Sequence, residues 1–252
     1  DKMSMSIDIL KREILLLTSF KDPTILSLYG IIEEFQKNRI IFIFPFYKNQ
    51  DLAKITNLDK MKKAPIKWDF TQKFIVMYGI AKGMNIIHKN RFIQIDLKPS
   101  NILIIDDLEP IIADFDLYEK ANDSNQIVFQ EVIDVDKIYD KSSDVYSFAM
   151  LCYQLFTNIE PFGDIESLDQ LESKLKNKER PEFPENFNSH LKEFIEKCWN
   201  DNPKKRPTFK KIIKTIKKKD FCDAVGCVDF ERLSEYIEKV YTPEFDFYEF
   251  KI

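Results

Sequence analysis

Residues 93–101 read Ile93-Gln94-Ile95-Asp96-Leu97-Lys98-Pro99-Ser100-Asn101, and the apolar run Ile102-Leu103-Ile104-Ile105 follows directly. An acid, a lysine two positions on and an amide five positions on make chemical sense as a set. A carboxylate can orient an attacking hydroxyl and accept its proton. An ammonium can neutralise a transferring phosphoryl group, and an amide carbonyl can hold a hard cation. Eighteen residues after Asp96 comes Asp114-Phe115-Asp116, which offers that cation a further carboxylate. Isoleucines 102, 104, 105, 111 and 112 frame a small hairpin turning at Asp106-Asp107. Such a hairpin would present Asp96 and Asp114 at one end.

The remaining composition sets bounds. With 252 residues, one or two domains are expected. At 44% hydrophobic and 32% charged, the chain is globular rather than disordered, and long enough to bury a sizeable core. Five glycines is a low count for a nucleotide enzyme. A net charge of −4 gives no general pull toward nucleic acid. The four cysteines and two histidines show no metal-ligand spacing, so free thiols in a reducing compartment are expected. No signal peptide opens the chain, and no apolar run approaches the ~18 residues of a membrane span. A cytoplasmic location without membrane association is the resulting expectation. The first residue is Asp1, not Met, and a helical pattern begins at once, which reads as a fragment or an incomplete gene model.

Outward from the central stretch, the periodicities change. Ile7, Leu10, Ile14, Leu17 and Phe20 carry helical spacing, stopped by Lys21-Asp22-Pro23. Residues 25–32 and 39–46 read as strands about a turn at Gln36-Lys37-Asn38. Residues 52–65, polar and lysine-rich, read as a surface connection. Asp69 opens a long helix with Phe74, Met77, Tyr78, Ala81, Met84 and Ile87 at core spacing. Phe209, Ile212, Ile213 and Ile216 form an apolar stripe behind a lysine face, and a short helix is expected near Phe230–Val240. The final Thr242–Phe250 stretch carries no functional reading.

Asp96-x-Lys98-x-x-Asn101 resembles the catalytic loop of protein kinases, whose pattern is H-R-D-L-x-x-x-N, with Gln94 and Ile95 in place of His and Arg. Asp114-Phe115-Asp116 resembles the D-F-G motif, with Asp116 where glycine is usual. Lys141-Ser142-Ser143-Asp144-Val145-Tyr146-Ser147-Phe148-Ala149 resembles the opening of the family's buried helix F. Cys198-Trp199 and Arg206-Pro207-Thr208-Phe209 are similar to the tyrosine-kinase and tyrosine-kinase-like groups, while Lys98-Pro99 points to Ser/Thr substrates. The resemblance implies an α+β, protein-kinase-like fold, with a mainly helical C-lobe and a partial N-lobe of helix C and two or so strands. Residues 1–47 would be the partial N-lobe, 48–219 the C-lobe, and 220–252 an extension of unknown role.

The resemblance also implies ATP and magnesium as cofactors and a protein substrate or binding partner, with no nucleic-acid partner. Asp96 would orient the substrate hydroxyl and Lys98 would sit on the γ-phosphate. Asn101 and Asp114 would hold magnesium. Glu13 falls where the helix C glutamate pairs the third-strand lysine. Phe44 is the gatekeeper, Pro45 and Tyr47 offer backbone groups at the hinge, and Leu103 completes the nucleotide contacts. Asp51 is either a ribose contact or a helix cap. His88 supports the loop from below, Asp144 accepts from the loop backbone, and Arg206 is placed to pair with Glu131. Leu17, Leu28, Gln94 and Phe115 would form the spine. Neither a G-x-G-x-x-G loop nor a V-A-I-K lysine occurs in the 252 residues. These residues alone are therefore expected not to phosphorylate at an appreciable rate. Two alternatives remain open, a catalytically impaired pseudokinase-like interaction module and, less favoured, a small-molecule phosphotransferase.

Overall fold

The computed structural model describes residue 18 and residues 20–34, 39–47, 51–65, 67–105, 107–113, 118–119, 140–165 and 167–241. Strands β1 (Gly30–Glu34) and β2 (Arg39–Ile43) form an antiparallel pair, with Gly30 opposite Ile43 and Glu34 opposite Arg39. Next come α1 (Leu52–Lys60), α2 (Phe70–Lys89) and β3 (Phe92–Ile93). A 3-10 turn at Pro99–Asn101 leads into the hairpin of β4 (Ile102–Ile104) and β5 (Pro110–Ile112). β6 (Tyr118–Glu119) pairs back onto β3. The remaining helices are α3 (Lys141–Thr157), α4 (Leu168–Lys176), α5 (Ser189–Cys198), α6 (Phe209–Ile216), α7 (Lys219–Val225) and α8 (Phe230–Lys239).

The core is built around α2. Asp69 caps this helix by accepting from Gln72 N, and the helix is apolar on nearly every face, so it is buried on nearly every face. Phe74, Met77, Ile80, Met84 and Ile87 have no exposed surface. Helix α3 lies beside α2 with Phe148, Leu151, Cys152 and Leu155 buried. Two glycines set how closely the β4–β5 hairpin approaches α2. A Cβ on Gly83 would come within 2.7 Å of Ile112 Cδ1, and one on Gly79 within 2.5 Å of Pro110 Cγ.

Two expectations need correction. Ile25 and Leu26 do not extend β1. Ile25 bridges Ile112 in parallel, Leu26 N donates to Ile112 O at 2.9 Å, and Ile112 N donates to Thr24 O at 2.9 Å. Both side chains are buried there, which a two-stranded edge cannot offer. Asp22 fixes the turn into this segment by accepting from Thr24 N at 2.9 Å, and its other oxygen pairs with Lys82 of α2. The second correction concerns 52–60, which is helix rather than a plain connection. Asp51 caps it, and Leu52, Ile55 and Thr56 are buried beneath the exposed lysines.

Candidate active site

Three groups of contacts assemble the loop around Asp96. The first is Asp144 in the opening turn of α3, with no exposed surface. Its Oδ2 accepts from Gln94 N at 3.0 Å and its Oδ1 from Ile95 N at 2.9 Å. His88 Nε2 lies 2.6 Å from Oδ2, and the imidazole stands edge-on to Phe209 with centroids 5.0 Å apart. Lys141 donates to His88 O from the same end of α3. His88 is thus a support under the loop, as expected, with its Nε2 turned to Asp144.

The second group is the loop's own backbone. Asp96 N donates to Gln94 O at 2.7 Å across Ile95, whose φ is +64°. An i to i+2 bond about a residue with positive φ is a tight, strained turn, and a β-branched residue there is exceptional. The bonds from Asp144 hold this conformation. Ile95 is 5% exposed, so the side chain standing where the family has arginine is part of the core.

The third group is the triad itself. Lys98 Nζ pairs with Asp96 Oδ2. Asn101 Nδ2 donates to Asp96 O at 2.9 Å and to Oδ2 at 3.1 Å. Two donors therefore pin one carboxylate oxygen, and the Asp96 side chain as a whole is 23% exposed. Asn101, buried at 5% exposure, spends its amide nitrogen on Asp96 and keeps Oδ1 as a hard oxygen donor. Ala113 N donates to Asn101 O at 2.9 Å, which ties the end of β5 to the loop, and Ala113 leads into Asp114. The β3–β6 pairing returns the chain beside Ile93 soon after Asp114. Asp114 itself, Phe115, Asp116, Leu17, Glu13 and Glu131 lie outside the described residues. Among the described residues no group of three or more His, Cys, Asp or Glu gathers as a metal centre.

The nucleotide-side expectations fall on a second, small apolar cluster of Leu26, Ile111 and Ala113, against which Tyr47, Leu103 and Ile105 pack. Partial burial raises the Tyr47 phenol above its ordinary range. Leu103 also bridges Asp51 antiparallel, which brings the start of α1 onto β4. Asp51 Oδ1 accepts from Lys54 N at 2.9 Å, so the helix-cap alternative describes its side chain. Phe44 stacks on Phe42 at 6.4 Å and is more than one-third exposed, and Pro45 is exposed. Arg206 donates to Asn200 O at 2.8 Å and Ser142 O at 3.0 Å and lies over the Tyr146 ring. It braces the start of α3, the helix that carries Asp144.

Comparison with known proteins places this geometry in a class. Residues 1–216 match the family described as the protein kinase domain. The chain belongs to that family, whose members generally use ATP and Mg2+. It is 28% identical over 225 residues to the serine/threonine/tyrosine-protein kinase HT1 of Arabidopsis thaliana, covering 86% of this chain and 56% of that protein. It is 29% identical over 195 residues to the serine/threonine-protein kinase STY17 of the same plant, covering 74% and 31%. It is 31% identical over 238 residues to the probable serine/threonine-protein kinase gdt2 of Dictyostelium discoideum, covering 83% and 13%. The chain thus spans about half or less of the length of these relatives. Among the described residues no helix is long and apolar enough to cross a membrane.

Proposed function

We propose that this chain carries the phosphoryl-transfer site of a Ser/Thr-type protein kinase. The observation that carries the reading is the state of Asp96. Its Oδ2 is held by Lys98 and Asn101, which aims the remaining oxygen at an incoming hydroxyl. Asp96 orients the serine or threonine hydroxyl of a protein substrate and accepts its proton. Lys98 supplies positive charge where the transferred group gathers negative charge. Asn101 Oδ1 and the Asp114 carboxylate would hold magnesium, which when bound would neutralise charge on the nucleotide phosphates. Tyr47, Leu103 and the cluster beneath them offer the apolar platform for a base, and Pro45 and Tyr47 offer hinge backbone groups. Phe44 is the gatekeeper that precedes Pro45, and Glu13 is the helix C partner of a lysine these residues do not contain.

Phosphoryl transfer is mostly positioning and charge stabilisation, so each of these groups acts by where it is held. The test is transfer of labelled phosphate from Mg-ATP to Ser/Thr of a generic protein substrate, by the protein that carries these residues. Asp96→Asn is expected to lower the rate by roughly 10²–10⁴-fold. Transfer that survives this substitution would overturn the assignment. Ligand-induced stabilisation is the second measurement. A chain that Mg-ATP does not stabilise would favour the interaction-module reading, which the replacements at Gln94, Ile95 and Asp116 motivate.

A further inference from the structure

The family match ends at residue 216, yet the chain goes on to build α7 and α8 against the same core. Leu233, Tyr236 and Val240 are buried in that contact. α8 reaches one place in particular, the turn of the β4–β5 hairpin. Lys239 Nζ lies 2.7 Å from Glu109 Oε1 and 3.3 Å from Asp107 Oδ2. The Tyr236 hydroxyl and Pro110 both crowd the bare face of Gly79. Arg232 grips Asp69 with two nitrogens at 2.6 and 3.1 Å and donates to Gln72 Oε1 at 2.8 Å. That last bond decides which way the Gln72 amide faces. With its oxygen on the guanidinium, its nitrogen is turned to Leu108 O at 2.8 Å. Leu108 sits in the turn with φ +62°.

The far end of the same hairpin carries Asn101 and runs into Asp114. Each strand has three residues, so turn and site are about 10 Å apart. A short two-stranded pair is marginal by itself and takes its orientation from what holds it. Its edges are bridged by Ile25 and Asp51 and one face lies on α2, while Gln72 and α8 hold the turn. We propose that α8 is a positioning clamp. Through Arg232, Gln72, Tyr236 and Lys239 it fixes the hairpin turn, and so sets how Asn101 and the Ala113 end of β5 are held, on which magnesium affinity depends. The magnesium half of this statement rests on the kinase reading above.

Gln72→Glu tests the relay without removing α8. It keeps the acceptor for Arg232 and replaces the donor to Leu108 with an oxygen. Amide exchange across 102–113 is expected to rise roughly tenfold, with exchange across 230–239 unchanged. The Mg2+ concentration for half-maximal stabilisation by ATP should rise several-fold, while stabilisation by metal-free ATP stays the same. Arg232→Leu should loosen both segments with the same shift in Mg2+ requirement. Unchanged exchange across 102–113 in both variants would overturn the clamp. So would faster exchange with an unmoved Mg2+ requirement, which would make α8 a structural prop. A wild-type chain that Mg-ATP does not stabilise would count against the kinase reading, and exchange across 102–113 then decides the clamp by itself.

Discussion

Asp144 is the residue on which the loop depends. Its carboxylate satisfies two backbone N–H groups and faces His88, all within the interior. Asp144→Ala leaves those donors buried without acceptors, at a cost of about 3 kcal/mol, read as a lowered urea midpoint. Asp144→Asn keeps an acceptor and should lose less; equal midpoints for Ala and wild type would contradict this account. Spacing alone grouped Asp96, Lys98 and Asn101, and they do meet, because all three lie within one short stretch. The turn at Ile95 was not legible, since nothing in I-Q-I-D announces a positive φ in a β-branched residue. Asp144 was readable through the motif around it, as its partners are about fifty residues away.

At the level of elements, α2 was legible because its apolar period is long and its cap is an aspartate. Helix α1 was not, because nine residues with few apolar positions look like a solvated connection until Leu52 and Ile55 find the core. Residues 25–26 read as part of β1, but their hydrogen bonds go to β5, a pairing no local pattern reports. Two helices end on lysines in the left-handed region, Lys62 after α1 at φ 58° and Lys178 after α4 at φ 61°. Both are exposed. Lys62→Gly and Lys178→Gly should each stabilise by about 1 kcal/mol in chemical denaturation, since glycine is unstrained at that position. The α2–α8 contact should depend on pH. Burial works to raise the Asp69 carboxyl, but the Arg232 hydrogen bond, together with backbone N–H groups and the Arg232 charge, holds it below its ordinary value. A depressed carboxyl contributes stability that is full above its unfolded value and lost as pH falls through the folded one. Exchange protection of 230–239 is therefore expected to fall at acid pH, below the usual carboxylate range. An Arg232→Leu chain should lack that step.

For the whole molecule, one core joins segments from Phe20 to Val240, so the extension beyond the family match is built into the folded body. Its thiols follow from that burial. Desolvation pushes Cys198 up to about 12 and Cys222 to about 11, and raises Cys152 well above its ordinary value. Cys227 is exposed. Alkylation at pH 8 should modify one thiol quickly and the other three on unfolding; rapid modification of Cys152 would refute the packing of α3. The long reach of Asp144 also orders events in time. Residues 94–95 meet their anchor 49–50 positions downstream. Closing a loop of that size carries an entropic cost before any bond compensates it. During synthesis, residues 94–101 are therefore in the nascent chain well before α3 can hold the backbone at 94–95, and the loop's conformation waits on the arrival of the helix.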